Sequence, residues 1–135
     1  MADSLHFELV SPERLLKDTE VTQVIVPGTD GDFGVLPNHA PLMSTLRPGL
    51  VEIFEAEDGT SERLFVKGGL AQVSKDGLTI LAEEALDPAT VDAAALAGKM
   101  ADTREDIEDA ADEVEKARLA RELVWMTALS EVVAA

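Results

Sequence analysis

The sequence predicts an all-β sandwich of about ten short strands followed by a C-terminal antiparallel two-helix hairpin. Three observations carry that expectation. From Leu5 to about Ala82, short apolar stretches recur at regular spacing with turn signals between them. The stretch Pro27–Gly49, PGTDGDFGVLPNHAPLMSTLRPG, holds four glycines and four prolines, a density that no helix survives. After Glu83 the composition changes: beyond Pro88 alanine dominates, proline disappears, and apolar residues take helical spacing. The expected division is a β domain over 1–86 and a helical hairpin over 87–135.

Leu5–Val10 alternates, with Phe7 and Leu9 on one face, and stops at Ser11-Pro12. Arg14–Asp18 is a second short piece, and Val21–Val26, rich in β-branched residues, is a stronger third. Phe33–Leu36 and Leu42–Leu46 lie inside the turn-rich stretch. Leu50–Ala56 sets Val51 and Ile53 opposite Leu50, Glu52 and Phe54. Asp58-Gly59 is a hairpin signal leading into Arg63–Lys67. Gly68-Gly69 breaks the chain before Leu70–Ser74, and Lys75-Asp76-Gly77 returns it through Leu78–Ala82. About nine strands are readable in this way, in the manner of a sandwich or flattened barrel.

Asp87-Pro88 reads as a helix start, with Asp87 the cap and Pro88 in the first helical position. Leu96, Met100, Thr103 and Ile107 follow helical spacing, as do Val114, Ala117, Leu119 and Leu123 more loosely. An acidic run from Asp102 to Asp112, with Arg104 its one basic residue, separates the two groups. Two helices joined near Asp106–Ala111 fit this pattern, their alanine-rich faces packing closely. Trp125, Met126, Leu129 and Val132 leave the second helix with more apolar residues than one contact face requires.

The chain has 135 residues, 46% of them hydrophobic, enough for one cored domain with an appendage. Its 27 acidic residues against 11 basic give a net charge of −16. That charge repels phosphate backbones and anionic headgroups, so nucleic acid and direct bilayer insertion are not expected, and high solubility or a basic protein partner is the better reading. Without cysteine there is no disulfide framework and no thiolate chemistry. MADSLHFELV is too short and mixed for a secretory signal, and no apolar run approaches the roughly 20 residues that span a bilayer. A soluble, cytoplasmic protein is expected.

The candidate constellations are weak as chemistry. Gly28, Gly31 and Gly34 share a phosphate-loop spacing, but Val35-Leu36-Pro37 follows instead of a helix, and Asp30 and Asp32 would repel a phosphate. His6 and His39 are the only histidines, and their differing contexts predict no metal centre. Ser11, Ser44, Ser61 and Ser74 fall in strands or turns without nucleophile surroundings, and Glu83-Glu84 reads as a solvated acid pair. A non-enzymatic protein is expected, ahead of a small β-barrel enzyme with appended helices.

The residues of PGTDGDFGVLPNHAPLMSTLRPG resemble the epsilon subunit family of bacterial F-type ATP synthase, equivalent to the mitochondrial delta subunit. They match its pattern PG-x-x-G-x-x-G-x-LP-x-HAP-L with a closing KPG or RPG. Val10-Ser11-Pro12-Glu13, Val66-Lys67-Gly68-Gly69 and Leu78–Glu83 support the match, which covers essentially the whole sequence. The resemblance implies ten strands and two helices, and a non-catalytic central-stalk rotor subunit coupling proton translocation to ATP synthesis. Its implied partners are the gamma subunit and the c-subunit ring, at the cytoplasmic face of the bacterial inner membrane. The turn holding Gly31, Asp32, Phe33 and Gly34 would correspond to the loop that meets the ring, with Asp32 in its acidic position and His39 in the HAP position.

In many relatives the hairpin is a regulator that extends into the catalytic head and blocks ATP hydrolysis, and some bind ATP through an I/L-D-x-x-R-A motif. Here Leu86 and Asp87 fit, but Thr90 stands where arginine is expected and Val91 where alanine is. Loss of that guanidinium removes a fixed donor fork, so weak ATP binding or none is implied, with Arg118 and Arg121 supplying the remaining charge. After Lys116, Arg118 and Arg121 the second helix has no basic residue, and Glu122 and Glu131 oppose an acidic head. Docking would then rest on apolar contacts through Trp125 and Leu129. The alternative function is a nucleotide-sensing regulator whose hairpin inhibits hydrolysis.

Overall fold

A computed structural model describes residues 4–55 and 61–134. The protein divides into two compact units, Met1–Leu86 and Asp87–Ala135. The first unit is built from ten strands: β1 (Leu5–Val10), β2 (Leu15–Val21), β3 (Gln23–Gly28), β4 (Gly31–Val35), β5 (Leu42–Leu46), β6 (Gly49–Phe54), β7 (Ser61–Val66), β8 (Gly69–Ser74), β9 (Gly77–Ala82) and β10 (Ala85–Leu86). The second holds a 3-10 turn (Pro88–Thr90) and the helices α1 (Ala93–Asp109) and α2 (Glu113–Ala134).

The strands form one curled, hydrogen-bonded sheet in the order β10-β7-β6-β3-β5-β8-β9-β1-β2, with β4 added on β3. Neighbours are antiparallel except β1 and β9, which run parallel with Phe7 opposite Leu78. β3 is the strand at which the sheet divides. β4 pairs along one edge, while β6 takes Gln23–Ile25 and β5 takes Gly28 on the other. Period-two alternation decides what is buried. Leu5, Phe7 and Leu9 of β1, Val24 and Val26 of β3, Val51 and Ile53 of β6, and Leu78 and Ile80 of β9 form one apolar core. Their outward neighbours, such as His6, Glu8, Leu50 and Glu52, remain partly exposed.

Polar links close the curl across elements distant in sheet order. The Lys17 ammonium of β2 meets Glu62 at 2.5 Å and Glu55 at 3.3 Å. These carboxylates, the Glu62 hydrogen bond foremost, raise the lysine above its ordinary value. Thr22, in the bend between β2 and β3, donates both its amide and its hydroxyl to the Phe54 carbonyl. That bend moves Val21, expected in the third strand, to the end of β2, where it is buried. The expected Asp58-Gly59 turn lies outside the described residues.

In the second unit, Asp87 caps a single 3-10 turn by accepting the Ala89 amide at 2.9 Å. This corrects the expected helix start: Thr90 and Val91 bond back to Asp87 and Pro88, and extended backbone at Val91 ends the turn. α1 begins five residues later, where Asp92 accepts the amides of Ala94 and Ala95. α1 and α2 pack together across the short connection 110–112. Leu96 and Met100 are the buried side chains of α1, Met126 and Leu129 those of α2. Val114, expected on the apolar face, is 75% exposed, because the helical stripe through Met126 runs back to Leu123 and Leu119 instead.

Two outcomes follow for stability. Phe7→Ala removes a fully buried ring at the β1–β9 seam and is expected to cost about 3–5 kcal/mol in urea unfolding. Asp92→Ala should destabilise the hairpin by about 1 kcal/mol and reduce helical circular dichroism. Asp87→Ala should leave the helical signal unchanged; an equal loss would place the helix start at Asp87 after all.

Candidate functional site

β3 and β4 form a hairpin whose two-residue tip is Thr29-Asp30. Neither tip residue has positive φ; Gly31, at φ +136, takes up the reversal instead. Across the turn, a Cβ on Gly28 would stand 2.7 Å from the Gly31 carbonyl oxygen and 2.9 Å from the Phe33 ring. The two glycines are thus required for different reasons, one for backbone angle and one for close approach. Gly31, Asp32, Phe33 and Gly34 are strand residues, paired in register with Gly28, Pro27, Val26 and Ile25. The expectation that they form the turn is corrected. Phe33 points inward and packs on the core, while Gly31, Asp32 and Gly34 are exposed.

The tip is held against the strand end at Thr45–Arg47. Thr29 donates its amide to the Thr45 carbonyl at 3.1 Å and its hydroxyl to the same oxygen at 3.0 Å. The Thr45 hydroxyl lies 2.8 Å from that of Thr29. Arg47 reaches over the hairpin, donating to the Gly28 carbonyl at 2.6 Å and to Asp32 Oδ1 at 2.5 Å, while its amide bonds to the Pro27 carbonyl. Asp32 is therefore an exposed but paired acid, and Asp30, at the tip, has no side-chain bond among the described residues. Sequence reasoning missed Arg47, Thr29 and Thr45 as a tether; a basic residue beside Pro48-Gly49 at a strand end was the available signal.

His39 does not join the tip. It follows the far end of β4, roughly 13 Å along the strand from Gly31 at the usual rise per residue. A turn closed by its amide on the Leu36 carbonyl, with Asn38 at φ 68, positions the ring, and Nδ1 donates to the Ala40 carbonyl at 2.7 Å. Leu36, Leu42 and Met43 near this turn are large exposed apolar side chains, Met43 at 62%. The hairpin thus offers an acidic, tethered tip, while the turn is flanked by exposed apolar side chains, Leu42 and Met43 falling on opposite faces of β5.

The residues of the nucleotide-like segment are occupied locally. Leu86 is half-buried in β10 opposite Phe65. Asp87 caps its own turn, Thr90 donates its hydroxyl to the Asp87 carbonyl at 2.8 Å, and the half-buried Val91 ends the turn. Arg118 is engaged by Glu115 through two bonds of 3.1 and 2.5 Å. The pair raises the guanidinium's pKa and holds the Glu115 carboxyl below its ordinary value. Arg121 is exposed, and no hydrogen bond or ion pair links either arginine to Asp87 or Thr90 among the described residues. A groove of about 480 Å³ between Ser11–Leu16 and Glu83–Ala85 sets Arg14 among Glu13, Glu83 and Glu84, a lining that repels phosphate.

Gly31→Ala is expected to cost about 1–3 kcal/mol by straining the left-handed position. Arg47→Ala should change global stability by less than about 1 kcal/mol, because the ion pair is solvent-exposed. It should nonetheless speed hydrogen exchange at the Thr29 amide; unchanged exchange there would remove Arg47 from the tether.

The β-sandwich matches the family described as "ATP synthase, Delta/Epsilon chain, beta-sandwich domain" over residues 4–88. The hairpin matches the family of the C-terminal domain of the ATP synthase epsilon subunit over residues 92–135. The ATP synthase epsilon chain of Maricaulis maris is 51% identical over 134 residues, covering 99% of each protein. That of Rhodospirillum centenum is 49% identical, covering 99% of this sequence and 94% of its own. Among solved structures, a polypeptide of the Euglena gracilis mitochondrial ATP synthase, in an OSCP/F1/c-ring assembly, superposes with a TM-score of 0.83. It is 23% identical, over 96% of this protein and 81% of that one, and so bears on the fold alone. A polypeptide from the central stalk and c-ring of the Tetrahymena thermophila enzyme gives 0.68 at 13% identity, over 97% of both. With both units matched and close relatives aligned end to end, this chain belongs to the ATP synthase epsilon subunit family.

Proposed function

We propose that this subunit is a central-stalk rotor component that joins the gamma subunit to the c ring and passes ring rotation, driven by proton translocation, toward ATP synthesis. The observation that carries this reading is the tethered β3–β4 tip. Asp30 stands at the tip of a hairpin braced by Thr45 and by the Arg47–Asp32 pair, a shape suited to meeting a basic loop at fixed geometry. Such complementary charge orients an encounter and sets its rate more than it deepens the affinity. The exposed Leu36 and Met43 side chains add apolar area for a protein partner.

The subunit contributes positioning rather than chemistry. None of its buried side chains, among the described residues, is polar or charged, so no titratable group sits in a desolvated setting suited to catalysis. No helix of the described residues is long and apolar enough to cross a membrane, and the place proposed for the subunit is peripheral, at the cytoplasmic face. The regulatory alternative requires nucleotide recognition by Asp87, Thr90, Arg118 and Arg121. Thr90 lacks the guanidinium, and Arg118 is already engaged by Glu115. ATP is therefore not a cofactor in this reading, and the acidic C-terminal helix does not act as an inhibitory arm on the catalytic head.

Calorimetric titration of the purified protein with the gamma subunit and, separately, with Mg-ATP tests these statements together. Gamma binding without heat from Mg-ATP is the expected result. Saturable ATP binding at about 1 mM or tighter would promote the nucleotide switch, and failure to bind gamma would overturn the rotor role. In the reassembled enzyme, Asp30→Lys is expected to slow c-ring association several-fold and to flatten its salt dependence; unchanged association would remove the tip from the contact.

A further inference from the structure

We propose that the outer face of the β1–β2 ladder is a binding site for a divalent transition metal of the zinc type, with His6 Nε2, Glu8 and Asp18 as ligands. The sequence predicts no metal centre at His6; strand pairing nevertheless gathers carboxylates around it. In LHFELV, His6 and Glu8 share the face opposite the buried Leu5, Phe7 and Leu9. In LLKDTEV, Asp18 and Glu20 share a face in the same way, and the antiparallel register sets His6 opposite Glu20 and Glu8 opposite Asp18. Four potential ligands thus stand on one face of two strands.

The spacing fits one ion. Donors held about 2.0–2.2 Å from a metal stand about 3.0 Å apart at right angles and about 3.4 Å apart at a tetrahedral angle. His6 Nε2 lies 3.2 Å from Glu8 Oε1 and 3.0 Å from Asp18 Oδ1, and the three donor atoms all fall within 4.8 Å of one another. The other ring nitrogen is committed elsewhere. His6 Nδ1 bonds to Glu20 Oε2 at 2.6 Å, and the Ser4 hydroxyl donates to Glu20 Oε1 at 2.7 Å. A carboxylate on the remote nitrogen is the arrangement that fixes a ligating imidazole's tautomer and orientation, so Glu20 is a positioning residue and not a ligand.

Charge, ligand type and position in the sheet each bear on an ion here. Glu8 and Asp18 are like charges directly opposite each other in the ladder; the His6 ring bridges them, and a dication held by the ring would offset their repulsion further. The imidazole selects transition metals over magnesium or calcium, which favour all-oxygen sets. β2 is a terminal strand of the sheet, and an ion shared between β1 and β2 would staple that edge. The inference is independent of the rotor reading, since the site uses no residue of the β3–β4 tip.

Calorimetric titration of the full-length protein with zinc chloride at about pH 8, with magnesium chloride as control, tests it. One zinc per molecule with a Kd on the order of 10 μM is expected, with no heat from magnesium at the same concentrations. His6→Gln and Asp18→Asn should each weaken zinc binding at least about tenfold, and Glu20→Gln about tenfold through lost orientation. These side chains are exposed enough that circular dichroism should report an unchanged fold. Absence of saturable zinc binding, or unchanged affinity in either His6→Gln or Asp18→Asn, would overturn the site; unchanged affinity in Glu20→Gln would remove the positioning role.

Discussion

The structure of the first unit depends on one constraint: the strands that line the core, β1, β3, β6 and β9 above all, must bury alternate side chains between the two layers of a single curled sheet. Phe7, Leu9, Val24, Val26, Val51, Ile53 and Ile80 are all fully buried, so a slip of one residue in any strand would carry its apolar set to water. Register is thereby fixed for the outward residues as well. The Glu52–Arg63 pairing and the His6–Glu20 and Glu8–Asp18 pairs are by-products of that inner alternation. Polar function on this fold sits in what the core leaves facing outward.

The β3–β4 hairpin shows how a surface feature gains definition without burial. Its strand pairing supplies a rigid base, and Arg47 ties a backbone carbonyl and a carboxylate together across the turn. Either bond alone would be worth little at a solvated site. Their combined effect is geometric, since one guanidinium holds the Gly28 carbonyl and the Asp32 carboxylate together across the turn. The helical unit is organised differently. Its buried side chains are few, and its charges pair along the helix, as Arg118 does with Glu115.

The strands were legible where alternation met a strong turn signal. β1 and β5 have the expected bounds, while β2 and β3 differ around Thr22, because a bend with bonds to Phe54 carries no distinctive residue pattern. β10, two residues long, was implied only by family resemblance, since no periodicity shows in Ala85-Leu86. Asp87-Pro88 and Asp92 both carry capping signals, and local sequence does not reveal that the first closes a single turn. Chemistry that depends on pairing across strands was invisible for the same reason. Nothing in the local sequence around His6 announces Asp18 and Glu20, and nothing around Asp32 announces Arg47.

The parallel alignment of β1 with β9 has a consequence for how the protein is made. Phe7 finds Leu78 only after about 70 intervening residues have left the ribosome, so the first strand to emerge is among the last to gain its partner. Until then its apolar face waits unsatisfied, paired at most with the nearby β2. Until the far end of the sandwich is made, the exposed apolar face of the N-terminal hairpin is open to misassociation.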